Sequence, residues 1–501
     1  MSKQELDLFL KERSEFSLGN LVTEGFHPLT QNLSHLSVND LSKAIEVLNE
    51  VDQKAFEQML TYTEKLYELQ QRCQRCLEQG GRIFISGCGA TGRLAISIEK
   101  IFRTTFKTDQ VIGFMAGGDF ALIKSVERFE DNKDFGKKQL QQLGFTQDDL
   151  LLAVTEGGET NFVIGTAEYA AENSRFNPCF IYCNPDEQLL KIPRVKASVF
   201  SNDKIEKYNL TIGAMAISGS TRMQATSIQM LAVGFAVLYN HESLANYKMD
   251  LSEWISELNQ LPYHKLNEFI TTESSLYQSE EKIQYLVTED IAMAILTDTT
   301  ERSPTFNLQG FESKDEDTLS LSYLSILDET NDSLAWEKLL SHTPRDLDWE
   351  ELNGLVTLKE IYKFDISLNS YERRKKRAKV HEFKIESIKD ELKFSLKALD
   401  LSVPMKIDSL LFKHMSLKLM MNIHSTLIMG RLGRYEGNVM TYVRASNKKL
   451  VDRAARYVNK ILNDQGVKVD EEIIFERIFA NNYVSDRPIV LRVVDDILKM
   501  T

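Results

Sequence analysis

The chain has no excess of positive charge. Its 60 basic residues face 73 acidic ones, for a formal net charge of -13. Nucleic acid and anionic membrane both call for a positive field, so neither is expected as a partner. No run of 18 apolar residues occurs, so no transmembrane helix is expected. The opening MSKQELDLFLKERSEF is charged and has no apolar core of a secretion signal; a cytoplasmic protein is expected. Cysteine is scarce and odd in number: five, at 73, 76, 88, 179 and 183, which is no disulfide framework. Cys73 and Cys76 make a C-x-x-C without a second pair at zinc spacing, and read as two residues on one helix face. The eight histidines show neither H-x-x-x-H nor H-E-x-x-H, so no metal is expected.

What is present is an ordinary globular composition, 43% hydrophobic and 27% charged, over 501 residues. That length predicts two to four domains. A helical stretch begins at Ser37 and ends at Gly80-Gly81. Short apolar runs then alternate with helical patterns: RIFISG, VIGFMAGG, DLLLAVTEGG and PCFIYCNP as strands, LAISIEKIFRTTF, FALIKSVERFED and VIGTAEYAAENS as helices. Such alternation predicts βαβ units and a parallel sheet with helices on both faces. A weaker repeat follows. Strand–loop–helix at 82–106 recurs at 283–306, and the long apolar helix at 220–239 recurs at 409–430. The charged stretch 305–380 is irregular in pattern, the basic run YERRKKRAKVHEFK reads as solvated, and the tail from Lys448 reads as short helices.

The glycine-rich stretches fall where ligands bind in such sheets, at the carboxyl ends of strands. GCGATGR, at 87–93, joins a strand to a helix. Backbone N–H groups and the helix dipole make that turn an anion site. It lacks the lysine of a nucleoside-triphosphate loop. It has the G-x-G-x-x-G spacing of a dinucleotide loop, but Lys107 and Thr108 stand where an acidic residue should end the next strand. No cofactor is expected.

Motifs in order along the chain resemble the sugar-isomerase (SIS) domain family: LVTEGFHPLTQNLSHLS, GCGATGRL, MAGGDFALIKSVERFED, IYCNP, SGSTRM, TERSPTF and YVRASNKKLVDRA. Within it they resemble the N-acetylmuramic acid 6-phosphate etherases and the tandem-domain glucokinase regulatory proteins. The resemblance implies two flavodoxin-like SIS domains with a helical C-terminal cap, divided as 1–245, 246–445 and 446–501. It implies a phosphate loop of Gly87, Gly89, Ala90, Thr91 and Gly92, and a second one with Thr155, Gly157 and Glu159. Ser220, Thr221 and Arg222 match G-S-[ST]-R, and Asn447 and Lys449 match cap residues that close over the sugar. Glu130 and Glu301 match two catalytic or sugar-contacting carboxylates. The first copy keeps the loop but has Ile101 at the TERSPTF glutamate position; the second keeps Glu301 but reads VTEDIA where its loop should be. A fused, internal pseudo-dimer with one composite site is therefore implied, compatible with a monomer.

The departures count against turnover. Ala90 replaces a threonine, Gln224 a lysine and Met215 a glutamate of the etherase pattern, and TEGGET places Glu156 and Glu159 where a phosphate dianion should sit. The expected function is thus a sugar-phosphate-binding protein of regulatory or sensing type, taking a fructose phosphate or N-acetylmuramic acid 6-phosphate, with a sugar kinase as its protein partner. The alternative is an etherase, a lyase releasing D-lactate. A degenerate scaffold binding only a protein is the second alternative.

Overall fold

In the computed structural model, residues 6, 7, 9–11, 18–126, 128–443, 445, 448–481 and 487–500 are described. The first five strands are β1 (Ile83–Gly87), β2 (Val111–Met115), β3 (Leu150–Val154), β4 (Cys179–Tyr182) and β5 (Glu206–Asn209). They pair in parallel in the order β2-β1-β3-β4-β5. The first four are apolar runs because helices cover both faces; every residue of β1, β2, β3 and β4 is buried. β5, EKYN, closes an edge and has only one buried residue, which is why no apolar run announces it.

The second sheet holds β6 (Lys282–Val287), β7 (Ser322–Ile326), β8 (Val380–Ile388), β9 (Glu391–Leu396) and β10 (Leu399–Pro404), in the order β10-β9-β8-β6-β7. It is parallel only at β7-β6-β8; beyond β8 it continues as an antiparallel meander. The fold is α/β, two sheets of SIS type flanked by helices, with the helices Lys448–Asp464, Glu471–Ala480 and Ile489–Leu498 at the C-terminus. No helix among the described residues is long and apolar enough to cross a membrane.

Two helices buried along nearly their whole length, Gln224–Leu238 and Leu410–Arg431, join the repeats. A Cβ on Gly234 would stand 2.6 Å from Leu411 Cδ2, so their close approach needs a glycine there. Two expectations from the sequence are corrected. FALIKSVERFED is not a helix: a 3-10 turn, Asp119–Leu122, is followed by irregular chain with Arg128 at φ 72°. The helix starts only at Lys133, where the Asn132 side chain accepts from the Asp134 and Phe135 amides. The basic run is not wholly solvated either: Arg374 is buried and donates to Glu312 and to Ser320.

Candidate functional site

The GCGATGR turn leaves β1 and enters the helix Ala90–Phe106. Its glycines do two different jobs. A Cβ on Gly92 would lie 2.2 Å from Met115 Cβ and one on Gly87 2.3 Å from the Thr91 carbonyl carbon, so both are required by the chain's own packing. Gly89, at φ +57°, would have nothing within 4 Å of a Cβ and is the glycine that faces open space. The Thr91 hydroxyl is buried and accepts from the Cys88 amide at 3.0 Å, which holds the turn rather than offering a free donor. Ala90 begins the helix.

Across this turn lies Glu301, on the helix Ala292–Phe306 of the second repeat. It is 5% exposed, and among the described residues nothing hydrogen-bonds its carboxylate. Its charge acts on Arg93, Glu156 and Lys418. Arg93, the last residue of the turn, donates to the Ala121 and Leu122 carbonyls at 3.3 and 3.1 Å and to Thr300 Oγ1 at 3.4 Å, so it bridges the repeats beside Glu301. Lys418, buried on the long Leu410–Arg431 helix, donates to the Arg222 carbonyl at 2.7 Å.

The loop after β3 folds on itself. The Thr155 hydroxyl accepts from the Gly158 amide at 3.3 Å and meets the Thr160 hydroxyl at 3.1 Å. Asn184 donates to the Gly157 carbonyl at 3.0 Å, and its Oδ1 accepts from the Thr23 amide at 3.1 Å. Glu159 is buried between two cations: Arg194 at 2.6 Å and Lys449 at 2.8 Å. Those charges hold its carboxyl below the usual range although burial alone would raise it. Glu156 is buried too but has no such cation in contact among the described residues. Burial, and then the nearby charge of Glu301, lift its carboxyl from 4.5 to about 7. The Thr226 hydroxyl lies 2.9 Å from its Oε1.

The C-terminal helices reach this loop. Lys449, near the start of the helix Lys448–Asp464, reaches Glu130 at 3.1 Å as well as Glu159. Glu130 lies in the irregular chain before the Lys133 helix, its side chain 41% exposed. Further along the same helix, Arg453 and Arg456 grip Glu24 of the LVTEG stretch and hold its carboxyl well below the usual range despite full burial. Tyr457 donates to the Ser218 carbonyl at 2.6 Å.

The structure joins Glu130 and Glu159 through Lys449, folds Thr155 and Gly157 into the loop that carries Glu159, and links the Gly87–Gly92 turn with Ala90 and Thr91 to the helix of Glu301 through the Arg93–Thr300 contact. It sends Arg222 elsewhere: the guanidinium faces Asp298 at 3.4 Å and Ser425 and Thr426 at 3.4 and 3.2 Å, between the repeats. Ser220 and Thr221 contribute backbone to the same turn, the Thr221 carbonyl accepting from Thr226. Asn447 lies outside the described residues. Sequence reasoning missed Arg93, Lys418 and Arg194. The first stands in a quoted motif, but only the fold brings the other two here. Among the described residues no group of three or more His, Cys, Asp or Glu is placed to hold a metal ion.

Residues 65–171 match the family model of the glucokinase regulatory protein N-terminal SIS domain. The N-acetylmuramic acid 6-phosphate etherase of Klebsiella aerogenes is 31% identical over 218 residues, 43% of this chain and 68% of that protein. The etherase of the same name from a Picosynechococcus species is 32% identical over 219 residues, 43% of this chain and 68% of that protein. Among solved structures, the tagatose-6-phosphate ketose/aldose isomerase of Escherichia coli is similar at a TM-score of 0.42 and 10% identity, over 82% of this chain and 98% of that one. The curated relatives correct the expectation of a regulatory sugar-phosphate-binding protein. They bear the name of an enzyme, and they favour the lyase, which the sequence offers as the alternative.

Proposed function

Because the chain belongs to the family of the N-acetylmuramic acid 6-phosphate etherases, we propose that it is a carbon–oxygen lyase acting on N-acetylmuramic acid 6-phosphate and releasing D-lactate. The observation that carries this reading is Glu301: a nearly dry carboxylate without a hydrogen bond among the described residues, next in its helix to Thr300, whose hydroxyl Arg93 of the glycine turn reaches. Removal of a carbon-bound proton needs a carboxylate whose lone pairs are not already taken up by water or by protein donors.

In this reading the Gly87–Gly92 turn receives the phosphate on its outward amides, and Lys449 closes over it. Glu301 takes the C2 proton of the ring-opened sugar, next to the aldehyde. Glu130, paired with Lys449 at the cap, holds the sugar's hydroxyls and sets that lysine in place. The Glu156 and Glu159 charges, read from sequence as repelling a phosphate, are offset in different ways: Glu159 by Arg194 and Lys449, Glu156 by holding its proton up to about pH 7. Arg93 and Lys418 add positive charge around Glu301. In this reading both repeats of one chain contribute to the site.

The test is lactate release from N-acetylmuramic acid 6-phosphate by the purified chain, with Glu301→Gln and Glu130→Gln beside it. The reading expects turnover in the wild type, loss of kcat in Glu301→Gln and a raised KM in Glu130→Gln. A thermal shift with no lactate would refute it. Ligand at 100 times Kd adds about 2.7 kcal/mol of stability, so binding without turnover would be visible.

A further inference from the structure

The stretch 341–357 of the second repeat, between the helices Asp332–Leu340 and Leu358–Ile361, packs against the first repeat. Arg345 donates to Glu99 on the helix Ala90–Phe106 and to the Gly113 carbonyl of β2, each at 2.9 Å. Its amide donates to Asp119 Oδ2 at 2.7 Å, and the Asp119 amide returns a bond to its carbonyl at 3.3 Å. The stretch then doubles back, the Leu347 amide donating to the Val356 carbonyl at 2.8 Å. Both side chains lie against the turn after β2: a Cβ on Gly118 would stand 3.1 Å from Leu347 Cγ and 3.3 Å from Val356 Cγ1. The sequence shows this stretch only as charged chain without a pattern.

Within the loop of that strap stands Trp349, a buried ring. It stacks on Phe129, with centroids 5.7 Å apart and planes 20° from parallel, and meets Phe135 nearly edge-on at 5.6 Å. Its indole N–H donates to Gln142 Oε1 at 2.6 Å. Lys138 covers the ring 4.5 Å from its centroid and pairs with Glu351 at 2.9 Å. Phe129 immediately precedes Glu130, and Phe135, Lys138 and Gln142 belong to the helix Lys133–Gln142 that follows it. Resting on the etherase reading, we propose that Trp349 is a positioning residue for Glu130: it fixes the chain on both sides of that carboxylate and so sets it against Lys449 and the sugar.

Glu130 needs such a support. It lies in neither helix nor strand, and its side chain is 41% exposed, so packing does not hold the carboxylate in place. The backbone must aim it. One bond does part of this, from the Phe162 amide to the Glu130 carbonyl at 3.1 Å. Arg128, two residues earlier, is at φ 72°, a conformation that a residue with a side chain keeps only where its surroundings impose it. Phe129, next to it, is buried to 1% exposure, and Trp349 supplies the ring stacked on it. Without that ring Phe129 has space to move, and Glu130 moves with it. The effect should fall on substrate binding, because Glu130 holds hydroxyls in this reading while Glu301, on another helix, takes the proton.

Steady-state lactate kinetics on the full chain test this. Trp349→Ala should raise KM about tenfold, as Glu130→Gln does, with kcat little changed. The double variant should have a KM no higher than Glu130→Gln alone, because both changes remove the same contact. Trp349→Phe keeps a ring on Phe129 and should bring KM back close to that of wild type. If circular dichroism shows the alanine variant unfolded, Trp349→Leu takes its place with the same expectation. Hydrogen–deuterium exchange of residues 128–135, read by mass spectrometry without ligand, should quicken in the alanine or leucine variant. Effects on KM that multiply in the double variant, a fall in kcat at unchanged KM, or exchange that does not quicken each overturn the positioning role and leave the etherase reading standing. A wild type that releases no lactate overturns the etherase reading and the role of Trp349 with it.

Discussion

Replacing Glu156 by glutamine should make the protein more stable at pH 8 and leave it unchanged near pH 4. The carboxyl is lifted from 4.5 to about 7 in the fold, first by burial and then by Glu301. The folded chain therefore binds this proton more tightly than the unfolded chain. Between those two values the folded state carries the extra proton, so stability falls as pH rises and levels off above the folded value. A separation of roughly 2.5 units at 1.36 kcal/mol each makes the loss about 3 kcal/mol. Glutamine does not titrate and keeps the contact with Thr226. Urea unfolding of both proteins at half-unit steps from pH 4.5 to 8.5 measures the difference. The two curves should meet at the acid end and separate by about 3 kcal/mol at the alkaline end. Parallel curves would mean that Glu156 is solvated or paired in the folded chain, and the argument from burial would fail. The double variant with Glu301→Gln adds a control. Without the Glu301 charge the wild-type titration should move back toward 4.5, so the gain from Glu156→Gln should shrink.

Asp52 makes the same kind of prediction away from the cleft. It is buried, accepts from Gln224 Nε2 at 2.6 Å, and is lifted by burial from 3.8 to about 7. Asp52→Asn should stabilise above pH 7 by roughly 4 kcal/mol and do nothing below pH 4, again by urea unfolding. Lys449→Met removes a charged donor from the cleft and should raise KM for the phosphorylated substrate about tenfold to a hundredfold, with kcat less affected. Steady-state lactate kinetics separate these, and a change in kcat alone would contradict the placement of Lys449 over the phosphate. Glu24→Gln leaves Arg453 and Arg456 buried without their carboxylate and should cost about 3–5 kcal/mol. Limited proteolysis should then cut near the helix Lys448–Asp464 first.

The sequence is most readable where one physical demand dominates. β1 to β4 are covered on both faces, so they are apolar runs and stand out as such. β8 to β10 mix buried with partly or fully exposed residues within a charged stretch, and β5 carries one buried side chain; neither pattern stands out. The segment holding Glu130 has a helical spacing of apolar residues, yet Gly117 and Gly118 at φ +93° and +66° and Arg128 at φ 72° turn the chain away. In the cleft, the glycine turn, Glu301 and Lys449 are legible from motifs. Arg194 and Lys418 are not, because a lysine or arginine in a helix pattern says nothing about which carboxylate it meets. Glu156 and Glu159 are visible as charges but not as different charges. Only the fold gives Glu159 its two cations and leaves Glu156 none in contact among the described residues.

That difference sets how the site treats a phosphate. Four carboxyls, Glu130, Glu156, Glu159 and Glu301, belong to the site proposed to take a phosphate dianion. Two unit charges 4 Å apart interact by about 4 kcal/mol at an effective dielectric constant near 20, so a fully ionised cluster would repel the substrate strongly. Lys449 and Arg194 already offset Glu130 and Glu159. Below pH 7 Glu156 is neutral as well, and of those still charged Glu301 alone has no ion-pair partner among the described residues, its charge acting on Arg93 and Lys418. Above pH 7 Glu156 ionises and the balance tips against the ligand. The substrate's phosphate completes its own ionisation near pH 6. Affinity should therefore be greatest between about pH 6 and 7 and fall as pH rises through the Glu156 titration. Glu156→Gln should lose the fall above pH 7 while keeping the rise below it. Calorimetric titration of N-acetylmuramic acid 6-phosphate into the Glu301→Gln background, where turnover is absent, measures this directly. Affinity that stays level from pH 6 to 8.5 in the Glu156-containing protein would show that Glu156 does not share the cleft with the phosphate.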